Sequence, residues 1–341
     1  MKVLRPLLSV LLIAAALPGC GVESPVGLPG TPGVPAAFQG EWDQIQQAPW
    51  NTRYQGERRV TLSVDLESGE RVQTQYIERV SSNGQGKFNI LPLQAETPVF
   101  PDEPTFLTLQ GRREGFFFRY RDFRIRNLEL FRKNYRHLDA GSSVIVAGRQ
   151  AWEVRFVRTG PGGRTYAVAF DLETGLVLRC NEYGERGVLL AALEYTSLDL
   201  DPDLSGVAFF VPGNDEVSFN LGSGEGQSIL GFKPYLPKAI PAGFVLHETA
   251  SVSDDMGNRW FKAGYTDGAE MVFFLHRERG TETYDLPITA KTKQAGPSSR
   301  DEVSVFRAGT VRAAQGTVRG QDMIVIGEIA EGDLLRMMRM E

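Results

Sequence analysis

The segment from 112 to 136 has the most unusual chemistry in the sequence, because arginines alternate there with aromatic side chains. Nine basic residues against three acidic ones give it a charge of +6, whereas the whole chain has a formal net charge of -5. Guanidinium groups pair with phosphate or carboxylate, and aromatic rings supply apolar contact area. This mixture predicts a ligand with anionic and apolar parts, such as an anionic lipid or lipopolysaccharide. The candidate binding residues are Arg119, Arg121, Arg124, Arg126, Phe116, Phe118, Tyr120 and Phe123.

Two other interpretations of this segment remain open. An arginine face in water above an aromatic core needs no ligand, and an acidic stretch of a partner protein would pair with the same arginines. Nucleic acid is not expected as a ligand, because the chain as a whole is acidic. A composition of 42% hydrophobic and 23% charged residues is typical of a folded protein and excludes a disordered chain.

The other reactive side chains predict neither a catalytic centre nor a metal site. His137, His247 and His276 are far apart in the sequence, and none has a neighbour at metal-ligand spacing. The sequence contains no Gly-x-Ser-x-Gly nucleophile elbow. Cys180 lies in a strand-like run and is predicted to be a small packing residue. We therefore predict a protein that is not an enzyme and needs no cofactor.

The first twenty residues predict export and lipidation. Lys2 and Arg5 precede an apolar stretch, 7–17, that is too short to cross a bilayer as a helix but suits a secretory signal. The stretch ends in Leu-Pro-Gly-Cys at 17–20, which resembles the lipobox of bacterial lipoproteins, in which the signal is cleaved before the cysteine and the cysteine is acylated. We expect 1–19 to be removed and Cys20 to be lipidated. The alternative is an ordinary exported protein with a cysteine there by chance.

Proline and glycine divide the rest of the chain. Three Gly-X-Pro triplets at 27–35 predict an extended tether over 20–37, which at polyproline II spacing spans roughly 50 Å. A glycine-rich stretch at 221–228 predicts a second flexible connection. The expected organisation is a signal peptide (1–19), the tether (20–37), a first domain (38–212), a linker (213–230) and a second domain (231–341).

Alternation of apolar and polar residues predicts the elements that must position these side chains. Val60, Leu62, Val64 and Leu66 alternate with polar residues, and short glycine-bearing turns favour antiparallel neighbours. We predict an α+β fold with a large, strongly curved antiparallel sheet covered by helices. One helix is expected over 42–50, ended by Pro49, and another between 104 and 137.

The second domain is predicted to be smaller, with an antiparallel sheet and a C-terminal helix. The last segment, 333–340, is predicted to be a short helix with four packing residues, Leu334, Leu335, Met337 and Met338. The predicted strands are 243–252, 259–265, 269–276, 303–308 and 323–329.

Five stretches, in order along the chain, resemble the RseB/MucB family. Residues 146–154 and 170–179 resemble its "V-A-G-R … D-x-x-T-G-L-x-L" hairpins. Residues 240–244 resemble its "L-P-x-G-F" strand, 265–274 its "Y-S-D-G-L-A-x-x-S-V-F" strand, and 325–329 its "V-V-G-E-x-P" end. Each piece alone is an ordinary turn or strand, but five in register make a chance match unlikely.

The resemblance implies a first domain similar to the lipoprotein carriers LolA and LolB, an unclosed β-barrel with helices over its mouth, followed by a smaller α/β domain. Members of the family are periplasmic, bind a membrane-bound anti-sigma factor and shield it from proteolysis, and release it when lipopolysaccharide or mislocalised lipoprotein is sensed. The implied partner is an anti-sigma factor or another membrane regulator. The alternative is a lipid or lipoprotein carrier or acceptor that holds acyl chains on its concave face.

The predicted lipid anchor distinguishes this chain from the family members that are soluble after export. Lipidation at Cys20 would anchor this chain to a membrane by its N-terminus. Gly21 stands where an aspartate would retain a lipoprotein in the inner membrane. The expected location is therefore the outer membrane, with the protein facing the periplasm.

Overall fold

The structure is a computed structural model that describes residues 42–65, 71–96, 123–139, 141–160, 163–184, 187–209, 217–253, 257–278, 291–295, 302–308 and 311–339. These residues form two antiparallel sheets and a few short helices. The signal segment, Cys20 and the tether lie outside the described residues. Within the described ranges, no helix is long and apolar enough to cross a membrane.

The first sheet takes up the N-terminal half of the described chain. Its elements are α1 (Trp42–Asn51), β1 (Arg53–Asp65), β2 (Arg71–Asn83), β3 (Phe88–Ala95), α2 (Leu128–Asn134), β4 (Tyr135–His137), β5 (Ser142–Val146), β6 (Arg149–Arg158), β7 (Thr165–Asp171), β8 (Val177–Tyr183) and β9 (Leu189–Asp199).

The nine strands of this sheet lie in the order β3-β2-β1-β9-β8-β7-β6-β4, and β5 also pairs with β6. Most neighbours are consecutive hairpins, as the short turns predict. Two pairs join strands that are not consecutive: β4 pairs with β6, and β1 pairs with β9, the last strand of the sheet in the sequence. The end strands β3 and β4 are not neighbours in this order, so the described part of the sheet is not closed.

Two helices cover one face of the first sheet. Trp42, Ile45 and Ala48 are spaced three apart and form the buried face of α1, as predicted. The helix continues past Pro49 to Asn51, because the proline removes only its own N–H and the carbonyl of Ala48 still accepts from Thr52 at 3.0 Å. In α2, the side chain of Asn127 caps the first turn by accepting from the N–H of Leu130 at 3.0 Å.

An aromatic cluster fills the space between these helices and the sheet. The ring of Phe131 on α2 lies 4.7 Å from Tyr135, 5.1 Å from Phe156 and 6.1 Å from Trp42. The ring of Phe123 joins the same core. Cys180, with no exposed surface, packs in this core as predicted.

The second sheet has eight strands. Its elements are β10 (Val217–Ser218), α3 (Glu225–Leu230), β11 (Val245–Ser253), β12 (Arg259–Thr266), β13 (Met271–Glu278), β14 (Lys291–Ala295), β15 (Glu302–Ala308), β16 (Val311–Val318), β17 (Gln321–Gly327) and α4 (Glu331–Met337). The order is β10-β11-β12-β13-β17-β16-β15-β14, with every pair antiparallel.

The five predicted strands of this region are present, and the terminal helix packs as expected. Leu334, Met337 and Met338 are buried against the sheet, and Leu335 is partly buried beside them. The sequence did not predict β16, where Arg312, Gln315 and Thr317 interrupt the apolar pattern. With eight strands against nine, the second sheet is nearly as large as the first.

His276 on β13 lies inside an aromatic cluster of the second sheet. Its ring stacks on Tyr235 at a centroid distance of 4.0 Å, and its Nε2 accepts from the backbone N–H of Tyr235 at 3.2 Å. Phe232, Phe261 and Phe274 surround it. Burial lowers the pKa of His276 from 6.5 to about 3, so the folded protein holds this imidazole neutral.

The free energy of unfolding is therefore expected to fall on acidification below about pH 6.5, at up to about 1.4 kcal/mol per pH unit from this group, since only the unfolded chain binds the proton. Urea unfolding over a pH series measures the slope. His276→Gln should flatten it, whereas His247→Gln, at an exposed position, should not. An unchanged slope in His276→Gln would contradict the assignment.

Candidate functional site

The two sheets meet at the turn between β12 and β13, residues 267–270, which packs against the first sheet. The carbonyl of Gly268 accepts from the backbone N–H groups of Arg126 at 2.8 Å and Asn127 at 3.3 Å, just before α2. Ala269 is buried in the hydrophobic core of the first sheet. The turn thus connects two strands of the second sheet, but its residues pack against the first sheet.

Asp267 places a buried carboxylate at the centre of this contact. The hydroxyl of Tyr135 on β4 lies 3.0 Å from each carboxylate oxygen, and Nε of Arg158 on β6 lies 2.7 Å from Oδ2. The backbone N–H groups of Ala269 and Glu270 donate to Oδ1 at 3.2 and 2.9 Å. Burial raises the pKa of Asp267, although the positive charge of Arg158 acts in the opposite direction. Groups from both sheets therefore bind the same carboxylate.

A second ionic cluster crosses the contact beside the first. The guanidinium of Arg164 touches both Glu182 on β8 and Glu328, which follows β17 in the other sheet. The hydroxyl of Tyr166 on β7 donates to Oε1 of Glu270 at 2.6 Å. Burial raises the pKa of Glu182 to about 7, against the opposing charge of Arg164. Burial also raises the pKa of the Tyr166 hydroxyl well above its ordinary value.

We call this set of groups the junction. Its flanks are held by Asn134, whose side-chain amide donates to the carbonyls of Gly243 at 2.9 Å and Asp267 at 2.8 Å. The guanidinium of Arg158 also lies 4.9 Å above the ring of Phe244. The titratable members are Tyr135, Arg158, Arg164, Tyr166, Glu182, Asp267, Glu270 and Glu328.

The segments that carry the family resemblance have identifiable structural roles. In the first sheet, Arg149 of the 146–154 stretch pairs with Asp171 of the 170–179 stretch at 2.8 Å, and Asp171 also accepts from the hydroxyl of Thr174 at 2.7 Å. The other three stretches supply Phe244, Asp267 and Glu328 to the junction. All five stretches thus take part either in this pair of hairpins or in the contact between the sheets.

The predicted binding residues are only partly within the described ranges. Phe116, Phe118, Arg119, Tyr120 and Arg121 lie outside them. The three described members occupy different environments, and their role in binding a ligand stays a prediction.

Phe123 is buried in the aromatic core at 7% exposure. Arg124 lies 4.8 Å above the ring of Trp50 and 5.1 Å above that of Phe88. Arg126 reaches the junction, where its guanidinium donates to the carbonyl of Ala269. The sequence did not single out the junction, because Asp267-Gly268 has the form of an ordinary turn and its partners are more than a hundred residues away.

The sequence predicted no metal site, and the described residues can be compared with that prediction. Among the described residues, no three His, Cys, Asp or Glu side chains are grouped so that they could hold a metal ion. The junction is a set of ion pairs and hydrogen bonds that joins the two sheets.

The architecture is that of a protein with two antiparallel sheets joined by a buried polar contact. Among solved structures it is similar to MucB: the MucA/MucB complex of Pseudomonas aeruginosa matches 87% of this chain and 95% of that chain at 14% identity, with a TM-score of 0.46. A structure of MucB matches 89% of this chain and 98% of that chain, also at 14% identity, with a TM-score of 0.45.

A weaker similarity covers about half of the chain. An outer membrane lipoprotein-sorting protein domain from Vibrio parahaemolyticus matches 48% of this chain and 93% of that chain at 11% identity, with a TM-score of 0.19. No protein-family model matches the sequence. No curated protein matches it either.

Proposed function

We propose that this chain is an envelope binding and regulatory protein of the RseB/MucB type, which engages an anti-sigma factor or a related membrane regulator and responds to envelope stress. The observation that carries the proposal is the placement of the segments that resemble this family. They meet in two places where side chains make polar contacts between separate segments of the chain: the Arg149–Asp171 pair and the junction.

A chance resemblance between turns would not require these contacts. A Thr-Gly-Leu turn forms without an arginine from the preceding hairpin, and an Asp-Gly turn forms without a buried partner in another sheet. Here, Arg149 also pairs with Glu173 at 2.6 Å, and Asp267 has partners on β4 and β6. The segments that resemble the family therefore make specific contacts between distant parts of this chain.

The partner class comes from the family resemblance. MucB has been solved bound to MucA. The resemblance to the RseB/MucB family implies that the partner is a membrane-bound anti-sigma factor. For this chain, the proposed partner is the exported part of such a regulator. The proposed domains are 38–212 and 231–341 with a linker at 213–230. The last strand of the first sheet, β9, ends at Asp199, while β10 and α3, within the proposed linker, pair and pack with the second sheet.

The proposed location is the outer membrane, through acylation of Cys20 and sorting by Gly21. In the test, the mature lipidated chain serves as bait in detergent-solubilised membranes of its own cells, and co-purified proteins are identified by mass spectrometry. An anti-sigma factor or single-span regulator is expected. A Cys20→Ser bait separates partners of the folded domains from partners of the lipid anchor. Recovery of no membrane regulator by either bait would remove the proposal.

The carrier alternative makes a different prediction. The sheet face that α1 and α2 cover is occupied by packed rings, including Trp42, Phe131 and Phe156, so acyl chains bound there would have to displace them or lie beside them. Native mass spectrometry of the Cys20→Ser protein distinguishes the two functions: a carrier retains lipid in stoichiometric amount, and a protein-binding regulator does not require it.

A further inference from the structure

The second sheet exposes large apolar side chains at one of its edges. Among the described residues of this sheet and its turns, the exposed ones are Val217 on β10, Ile240 before β11, and Val245 and Leu246 at the start of β11. Ile240 is 44% exposed, and Val245 and Leu246 are each 41% exposed. A single exposed apolar residue is ordinary on a protein surface, but a group of them at one place marks a surface for contact.

The start of β11 has a neighbouring strand on one side only. β10 pairs with 250–251 of β11, and the backbone N–H of Phe219 donates to the carbonyl of Thr249 at 3.2 Å. The chain then leaves this edge and enters α3. Among the described strands, only β12 therefore pairs with Val245 and Leu246. A strand edge of this kind presents backbone groups to which a further strand can bind.

Basic side chains lie beside the start of this edge. The side-chain amide of Asn134, the last residue of α2, donates at 2.9 Å to the carbonyl of Gly243, two residues before Val245. The exposed basic residues on either side of Asn134, which we call the basic patch, are Arg132, Lys133 and Arg136. None of the three forms an ion pair with another residue in the described part of the chain. The one acid of α2, Glu129, lies in its first turn, away from Asn134.

We infer that the start of β11 is a docking edge for an extended segment of a partner protein, which adds a strand beside Val245 and Leu246 and places acidic side chains on the basic patch. Successive residues of a strand point to opposite faces of the sheet, so these two side chains cannot both lie on one flat membrane surface. An added strand carries side chains on both faces and can contact each of them. The inference rests on the proposed function in one respect, the existence of a protein partner.

Synthetic peptides and the mature Cys20→Ser chain provide the test. The labelled peptide Thr-Val-Thr-Val-Thr-Val-Glu-Asp-Glu-Asp, and its counterpart with the acidic half first, cover both directions of an added strand. Fluorescence anisotropy is expected to show saturable binding of at least one of them, weakened by salt because exposed charges are screened. The bound peptide should slow hydrogen exchange at the start of β11 and leave β7 unchanged. Failure of both peptides to bind would overturn the inference.

Substitution of the apolar residues locates the binding on the edge. Val245→Asn together with Leu246→Asn should lower the affinity for the peptide about tenfold, because apolar contact area is lost. Both side chains are exposed, so the fold should be retained. The matched control is Leu172→Asn together with Val188→Asn, at positions of similar exposure in turns of the first sheet. Equal losses of affinity in the two double variants would contradict the assigned edge.

Charge reversal tests the basic patch separately. Arg132→Glu together with Lys133→Glu should lower the affinity about tenfold at low salt and by less at high salt. The control, Lys87→Glu together with Arg339→Glu, reverses two exposed charges elsewhere and should leave the affinity unchanged. The same loss in the control would show that only the net charge of the chain matters, and the basic patch would then have no part in binding.

Two further outcomes separate this inference from its alternatives. Cosedimentation with vesicles of phosphatidylglycerol and phosphatidylcholine that the Val245 and Leu246 substitutions abolish, without peptide binding, would overturn it in favour of a membrane surface. If the membrane bait recovers no regulator but the peptide binds this edge, the proposed function fails and the docking edge stands. If the bait with both asparagine substitutions recovers a regulator as well as the unmodified bait does, the edge is not where that partner docks.

Discussion

Replacing Gly268 by alanine is expected to uncouple the two sheets. The residue has φ +114°, a conformation that L side chains rarely adopt, and a Cβ there would lie 2.6 Å from Cα of Phe131 and 2.8 Å from the carbonyl carbon of Leu130. Those are backbone atoms of α2, so no side-chain rotation relieves the clash. Backbone strain and overpacking together are expected to cost about 3–5 kcal/mol.

The matched control is Gly320→Ala in the turn between β16 and β17. Gly320 also has a positive φ, +79°, but a Cβ there would meet nothing within 4 Å. Its substitution should cost only about 1–2 kcal/mol, from the backbone alone. Urea unfolding gives both free energies, and exchange of the Arg126 and Asn127 amides reports the junction. Equal costs at the two positions, with the amides still protected, would show that the turn does not hold the sheets together.

Replacing Asp267 by alanine should have an effect of similar size for a different reason. The change leaves the Arg158 guanidinium, only 8% exposed, without its carboxylate, and it removes the acceptor of the Tyr135 hydroxyl. An uncompensated buried charge costs about 3–5 kcal/mol. The exposed pair of Asp333 and Arg336 provides the control, since Asp333→Ala should change the free energy of unfolding by about 1 kcal/mol or less.

A double-mutant cycle separates the pair from its surroundings. Asp267→Ala leaves the charge of Arg158 without its carboxylate, and Arg158→Ala removes that charge. The double variant should therefore be more stable than the sum of the two single losses predicts. Urea unfolding of the four proteins gives the coupling free energy. If Asp267→Ala costs no more than Asp333→Ala, the buried carboxylate does not fasten the sheets.

The sequence predicted the local part of the fold because local signals specify it. Alternation at Val60, Leu62, Val64 and Leu66 identifies β1, and the short glycine-bearing turns identify the antiparallel hairpins, since side-chain period and turn chemistry are properties of adjacent residues. In the second sheet, β16 was missed because Arg312, Gln315 and Thr317 make its pattern look polar. Arg312 in fact reaches the carbonyl of Ile329 at 3.1 Å, a contact that no neighbouring residue reveals.

The junction could not be predicted in the same way. Tyr135, Arg158 and Asp267 lie in three separate segments, and each alone resembles a surface residue of a strand or turn. Their role depends on burial and on partners that lie more than a hundred residues away. The spacing of residues in one sequence reveals neither. For the predicted arginine and aromatic site, composition drew attention to 112–136, but 112–122, which contains five of its eight candidate residues, lies outside the described residues.

The pairing of β1 with β9 has a consequence for how the chain folds. Residues 55–62 find their partners in 191–199, so the centre of the first sheet closes only after nearly 150 residues are available. Contacts this distant in sequence slow folding, because the entropy of closing the loop is lost before the contacts form. During folding, the hairpin of β1 and β2 would therefore have an open edge until β9 arrives, and in that period the chain is most exposed to aggregation and proteolysis.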